Sequence, residues 1–467
     1  TKLNKSFKSK YLSWINIQRQ FKKYQKNESI EKLLIDKSTT SSNAWIRLFD
    51  ETMARLRFDF DGKKLNETEV LDLLSSSDAS KREQAAKVFG KTLKDNIHLF
   101  SIITNTLSKD LQIENSLRGF KSCDSSRHLS NQVDPEDVDC LVKTVKKNYA
   151  DLSHRYYKYK AKVFNVKRLN FWDRNAPYPK QKSQNISWKT AKEIVEKAYK
   201  DFDVKVYDII KLFFSNSWIH APVSNGKMSG AFAHPATPSL HPYILINYQN
   251  KVRDVMTLAH ELGHGVHQYL ANDKGLLLSD TPLTLAETAS VFGEMLTFKS
   301  ILKKANTDLQ KKNILRSKIE DMLNTVIRQI AFYEFEKEVH TQRNNGELSV
   351  DEINSIWLKT QKESFGEYIK ISGDYKYFWA YIPHFIHSPF YVYAYAFGDC
   401  LVNSLYAKYE SGDENFNEKY IDMLRSGGAR NYKELLKEFD LNPKDPQFWQ
   451  SGLNIIKKLI DDLEQLV

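Results

Sequence analysis

Two imidazoles four residues apart, with a carboxylate directly after the first, are the side chains in this sequence best arranged for chemistry: His260, Glu261 and His264 in the run Ala259-His-Glu-Leu-Gly-His264. On a helix, positions i and i+4 stack on one face, so both rings project to a common point where a zinc ion can sit. Glu261 lies roughly 100° round the helix from His260, close enough to hold a water beside the metal without ligating it. His267 continues this face one turn on and is expected to be a neighbour, since the helix already supplies two ligands. A catalytic zinc takes three protein ligands and keeps one open position, so a third donor must come from elsewhere. Glu287, in the run Asp280 to Glu294, is the candidate, and Ser290 and Glu294 follow at helical spacing where they can hydrogen-bond the ligands.

These side chains need rigid carriers. Val255, Leu258, Ala259, Leu262 and Val266 recur at helical spacing, which predicts a helix buried on the side away from the histidines. Gly263 costs such a helix about 1 kcal/mol against alanine, so its place between the ligands implies close packing there. Asp280 or Thr281 can cap a second helix with Pro282 at its first position, which puts Glu287 in the opening turns. Before the first helix, Gly226, Gly230 and four prolines break the helical pattern between residues 221 and 248, and Tyr243-Ile-Leu-Ile reads as strand. Gly230, Ala231 and Phe232 are expected to form an edge that pairs with a peptide backbone.

The remaining chain reads as mainly α. Long apolar periods predict helices over 80–109, 134–163 and 302–343, and Asn66-x-x-Glu69 and Ser349-x-x-Glu352 are capping boxes. Two regions are assigned, 1–75 as an N-terminal helical segment and 76–467 as the catalytic domain. The 467 residues carry a formal net charge of +11, much of it in eight Lys or Arg between Lys2 and Lys26. Tyr11, Trp14, Ile15, Ile17 and Phe21 interleave with those charges as in an amphipathic helix that packs on its own protein. With no zinc finger, RNP motif or phosphate loop, nucleic acid is not an expected partner. No apolar run is long enough for a membrane span. Cys123, Cys140 and Cys400 lack metal-ligand spacing and point to a reducing, cytoplasmic setting. The chain begins at Thr1, so a leading segment is expected to precede it.

The segments LRFDFDGKKL (56–65), SLRGFKSCDSSRHLSNQV (116–133), GKMSGAFAHPATPSLHPYILINY (226–248), RDVMTLAHELGHGVH (253–267), LAETASVFGE (285–294) and IPHFIHSPFYVYAYAFG (382–398) occur together. In that order the chain resembles the oligoendopeptidase F branch of the thimet-type zinc metallopeptidases. The resemblance implies a large helical body enclosing a deep channel, one zinc per chain on His260, His264 and Glu287, Glu261 as catalytic base, and short peptides as substrates. It further implies that His384, Tyr391 and Tyr393 line the site, and His387 of the same segment is assigned to substrate contact. Residues two apart on a helix diverge, so Tyr391, Tyr393 and Tyr395 cannot all face one pocket. An inactive peptide-binding protein of the same fold is the rival reading, against which the intact HExxH and Glu287 both speak.

Overall fold

The computed structural model describes residues 10–179 and 185–466. Residues 2–9 of the basic N-terminal stretch lie outside them. The chain opens with α1 (Leu12–Lys22), α2 (Glu28–Ser38) and α3 (Ser42–Arg55), a hairpin of β1 (Phe58–Phe60) and β2 (Lys63–Leu65), and α4 (Glu67–Leu73). Asn66 caps α4 in a reciprocal box with Glu69, as its spacing predicts. The amphipathic α1 leaves every side chain at least partly exposed, so it is seated more lightly than its pattern suggests.

The predicted helix over 80–109 is two helices, α5 (Ala79–Asp95) and α6 (Ile97–Arg118). The joint is Asn96, whose side-chain amide donates to the Thr92 carbonyl at 2.9 Å and so competes with the backbone ladder. The next helices are α7 (Ser125–Ser130), α8 (Pro135–Lys147) and α9 (Arg155–Val163), the last two separated by a π turn at Ala150–His154. Strand β3 (Leu169–Asn170) is followed by α10 (Trp188–Phe202) and α11 (Val204–Ser215), and Ser187 caps α10 as expected. Strands β4 (Ile219–His220), β5 (Phe232–His234) and β6 (Tyr243–Leu245) form a small sheet in the order β4-β6-β5, which leaves β5 on an edge.

The centre of the molecule is α12 (Val252–Ala271), packed on α14 (Thr288–Lys304), with the four-residue α13 (Leu283–Ala286) between them. Then come α15 (Asp308–Thr325), α16 (Ile327–Arg343) and α17 (Val350–Phe365), with a break at Val326 where the sequence pattern runs on. Strand β7 (Ile369–Lys370) pairs with β3. A 3-10 helix at Gly373–Tyr381, α18 (His384–His387) and α19 (Tyr393–Glu410) lead to the terminal α20 (Phe416–Arg425), α21 (Tyr432–Lys437) and α22 (Pro446–Gln465). Among the described residues no helix is long and apolar enough to cross a membrane. The three cysteines are free.

The core also sets an acid limit on stability. His340 on α16 is buried against Ser108 of α6 and the ring of Phe390, and burial pushes its imidazole down to about 4, Asp124 opposing weakly. The unfolded chain holds this proton with a pKa near 6.5, so the contribution of a neutral His340 is complete above that pH and is lost as pH falls toward 4. Chemical denaturation between pH 7 and 4 should therefore show stability falling by about 1.4 kcal/mol per pH unit for each such group. His340→Gln, which keeps a partner for Ser108, should flatten that slope by one group's share; an unchanged slope would contradict the assignment.

Candidate functional site

The buried face of α12 is the predicted one: Val255, Leu258, Ala259, Leu262 and Val266 are all inaccessible or nearly so. Asp254 closes the helix start, its carboxylate accepting from the Lys251 backbone at 2.9 Å. Gly263 sits against α14 so closely that a Cβ there would lie 2.3 Å from the Ala289 carbonyl oxygen. Gly293 of α14 answers it: a Cβ would meet the Tyr199 hydroxyl, which donates to the Ala259 carbonyl at 2.8 Å. The two helices thus meet backbone to backbone beside the histidines.

Glu287 occupies the junction of α13 and α14 instead of the opening turns of one helix, and this bend turns its carboxylate back toward α12. His260 Nε2 lies 3.1 Å from His264 Nε2 and 3.4 Å from Glu287 Oε2, and His264 Nε2 lies 3.5 Å from that oxygen. Ligand atoms on a tetrahedral zinc at ~2.0–2.1 Å stand ~3.3–3.4 Å apart, so the triangle has the size of one face of such a site. His260 Nδ1 is 2.6 Å from Glu294 Oε1, which leaves Nε2 aimed at the triangle, and the Ala286 carbonyl hydrogen-bonds the His264 ring. Burial would lower the His260 imidazole, but the Glu294 hydrogen bond and the Glu294 and Glu287 charges raise it to about 9, so positive charge is favoured at this point. Two imidazole nitrogens and a carboxylate oxygen converging there suit a divalent cation.

Behind the ligands lies a buried ionic chain. Lys318 of α15 donates to Glu294 Oε2 at 3.2 Å. Burial alone would raise the Glu294 carboxyl, but the Lys318 charge and the His260 hydrogen bond outweigh it and hold it at about 2. Ser290 donates to Glu287 Oε2 at 2.7 Å, so the two polar residues read as supports in the sequence both contact the ligand set. His267 is buried and neutral, its imidazole pushed down to about 3 by desolvation and placed 3.4 Å from the Thr281 hydroxyl.

Glu261 is 6% exposed, and its Oε2 has no hydrogen-bond partner. Desolvation, opposed by His260 and reinforced by Glu287 and Glu294, pushes its carboxyl up to about 7, while the Ala233 amide of β5 donates to it. The Ala233 carbonyl in turn accepts from Gln268 at 3.2 Å. Of the residues read as a peptide-pairing edge, Phe232 opens β5, while Gly230 and Ala231 precede it. The Gly230 carbonyl is held by the Asn247 amide at 3.0 Å. The edge is real, but at Ala233 its backbone groups are already spent on α12.

The segment 382–398 sorts its aromatic residues differently from the sequence reading. His384 Nε2 is 3.2 Å from the Tyr395 hydroxyl, its ring lies parallel to Tyr391 at 6.2 Å, and Tyr391 and Tyr395 meet edge to face at 5.2 Å. Burial raises both tyrosines, and the Glu287 charge adds to the rise in each, so both hydroxyls feel the carboxylate ligand. Gly398 brings α19 there, since a Cβ on it would touch the Glu287 side chain at 3.4 Å. Tyr393 belongs elsewhere. It is fully buried, accepts from Asn131 at 2.9 Å and pairs with His128 at 3.0 Å, on the opposite side of α19. Tyr395 takes the place expected of it. The bend causes the exchange: Phe390 has φ of +60°, so Tyr391 lies outside the helix and its phase starts at Tyr393. His387 likewise turns away from the ligand triangle to Asp50 of α3, at 2.8 Å.

Residues 72–455 match the profile of peptidase family M3, and residues 3–58 match that of Oligopeptidase F. The chain belongs to peptidase family M3. Its relatives include Oligopeptidase PepF of Bacillus subtilis, 28% identical over 94% of this chain and 67% of that protein. Another is the chromosomal Oligoendopeptidase F of Lactococcus lactis subsp. cremoris, 25% identical over 90% of this chain and 70% of the relative. The chain therefore spans about two-thirds of the length of these proteins. The fold is shared with oligoendopeptidase-F from Enterococcus faecium, at a TM-score of 0.78, 20% identity, and coverage of 98% of this chain and 78% of the other. The family expected from the six sequence segments is the family found, and the mostly helical body with small sheets agrees with that fold.

Proposed function

We propose that the chain is a zinc-dependent endopeptidase of the oligoendopeptidase F kind, cutting internal bonds of short peptides. The observation that carries the reading is the triangle of His260 Nε2, His264 Nε2 and Glu287 Oε2, with the unpartnered Glu261 oxygen one residue on from His260 in the same helix. His260, His264 and Glu287 would hold the zinc, and when bound it would supply Lewis acidity toward the scissile carbonyl and a more acidic water. Glu261 takes the proton as water attacks and passes it to the leaving amine, a role suited to a carboxyl raised toward neutrality. Tyr391 and Tyr395 feel the Glu287 charge, with His384 against the Tyr395 hydroxyl, and one of these hydroxyls donates to the developing oxyanion. Phe232 and the backbone before it border the substrate path. The three free cysteines support a reducing, cytoplasmic setting.

The test is a set of quenched-fluorescent peptides of increasing length. Cleavage should appear on short peptides, vanish on incubation with 1,10-phenanthroline and return on adding zinc. Chelator-resistant cleavage, or none at all from chains carrying about one zinc each, would overturn the proposal.

A further inference from the structure

Asp280 and Thr281 stand in the sequence where helix caps belong, yet the structure uses neither for that purpose. Helix α13 begins at Leu283 with Pro282 at the cap position. The Thr281 hydroxyl instead meets His267 Nε2 at 3.4 Å, and the Asp280 carboxylate is exposed and, among the described residues, has no ion pair or hydrogen bond. Both residues line a cavity of about 240 Å³ whose floor is one face of α12, at His264, His267, Gln268 and Asn272. A single water needs roughly 10–15 Å³ by the same measure, so the space takes a whole side chain. The cavity reaches the ligand triangle itself, because His264 is part of its lining, as is Ala286, the residue before Glu287.

Two loops wall the cavity, the one after β5 with Pro235 and Pro238 and the one after α12 with Leu276 and Asp280. Both are pinned. The Asn272 amide donates to the Leu240 carbonyl at 3.1 Å, which ties the first loop to the end of α12. The second is clamped by the turn at Gly427 and Gly428: the Gly428 amide donates to the Leu278 carbonyl at 2.8 Å, and a Cβ on Gly428 would lie 2.6 Å from the Asp280 carbonyl oxygen. Asp280 is thus held at the cavity by packed backbone. The lining contains this one acid and no lysine or arginine, and its floor runs toward the C-terminal end of α12, whose last turn carries no base. The carbonyl dipoles of that helix end add to the negative potential of the carboxylate. A side chain with an apolar stem and a cationic head matches such a space, the stem against the prolines and Leu276 and the head in water at Asp280. His267 lies one turn from His264, ~5 Å along the axis, and its contact with Thr281 brings Asp280 within reach of a long side chain beside the metal site. Resting on the peptidase reading, we propose that this cavity is the subsite for a lysine or arginine next to the cut bond, with Asp280 setting the preference.

The experiment gives the zinc-loaded chain peptides that carry lysine, arginine, glutamine or glutamate at each of the two positions flanking the cut bond, with cleavage sites read by mass spectrometry. At one of those positions a basic residue should lower KM about fivefold against glutamine, the upper end for a solvent-facing ion pair, with kcat little changed. Asp280→Asn should bring that ratio toward one, Asp280→Glu should keep it, and Asp280→Lys should turn it toward glutamate. Anisotropy of the same labelled peptides on the Glu261→Gln chain reads the preference without turnover. If peptides are cut but basic and neutral residues behave alike at both positions, the subsite is wrong and the peptidase reading stands. If nothing is cut yet the basic peptides bind more tightly and Asp280→Asn removes the difference, the subsite stands and the hydrolase reading falls. A basic preference that survives Asp280→Asn unchanged would overturn the assignment to Asp280.

Discussion

Glu261→Gln should leave about one zinc per chain and lower kcat by roughly 10³ to 10⁴, with KM little changed, in line with the upper range for a positioned general base. Glutamine has nearly the same shape, so the packing of α12 survives and the Ala233 amide keeps an acceptor. What is lost is the group that takes a proton from water. The ligand triangle does not include Glu261, so metal content measured by atomic absorption should be unaffected. A variant retaining more than about a tenth of the turnover would remove Glu261 from the mechanism.

His264→Ala should act one step earlier, on the metal itself. The ring donates one of three convergent atoms and is held in place by the Ala286 carbonyl, so its removal leaves two donors about 3.4 Å apart with no third to close the site. Zinc content after dialysis should fall from about one per chain to near none, and turnover with it, since a catalytic site needs three protein ligands. Far-UV circular dichroism should stay as in the parent, because the ring projects away from the apolar face of α12. Full zinc retention in this variant would mean that the triangle is not the binding site.

The sequence revealed α12 almost completely, because a helix period, two histidines and a glycine between them all constrain the same twelve residues. It revealed Glu287 as a ligand candidate but not the bend carrying it, since Pro282 and the following apolar residues suit one helix as well as two. Helices ran together in the reading for a similar reason: the apolar period continues across Asn96 and Val326, where only the backbone turns. Tyr393 and Tyr395 were mis-sorted because helical phase depends on where α19 begins, and a positive φ at Phe390 has no strong sequence sign. Lys318 was invisible, one of 69 Lys and Arg, its partner 24 residues away on another helix. The contact between His387 and Asp50 spans most of the chain and could not be read from either neighbourhood.

The seam where Gly263 and Gly293 face the opposing helix also bears on how this protein can vary. A methyl at Gly263 must push one ligand-bearing helix off the other, widening the distance from the two histidines to Glu287, whereas at Gly293 it first displaces the Tyr199 ring that braces the Ala259 carbonyl. Drift at Gly263 is therefore felt first as weakened grip on the ion, before the fold itself gives way.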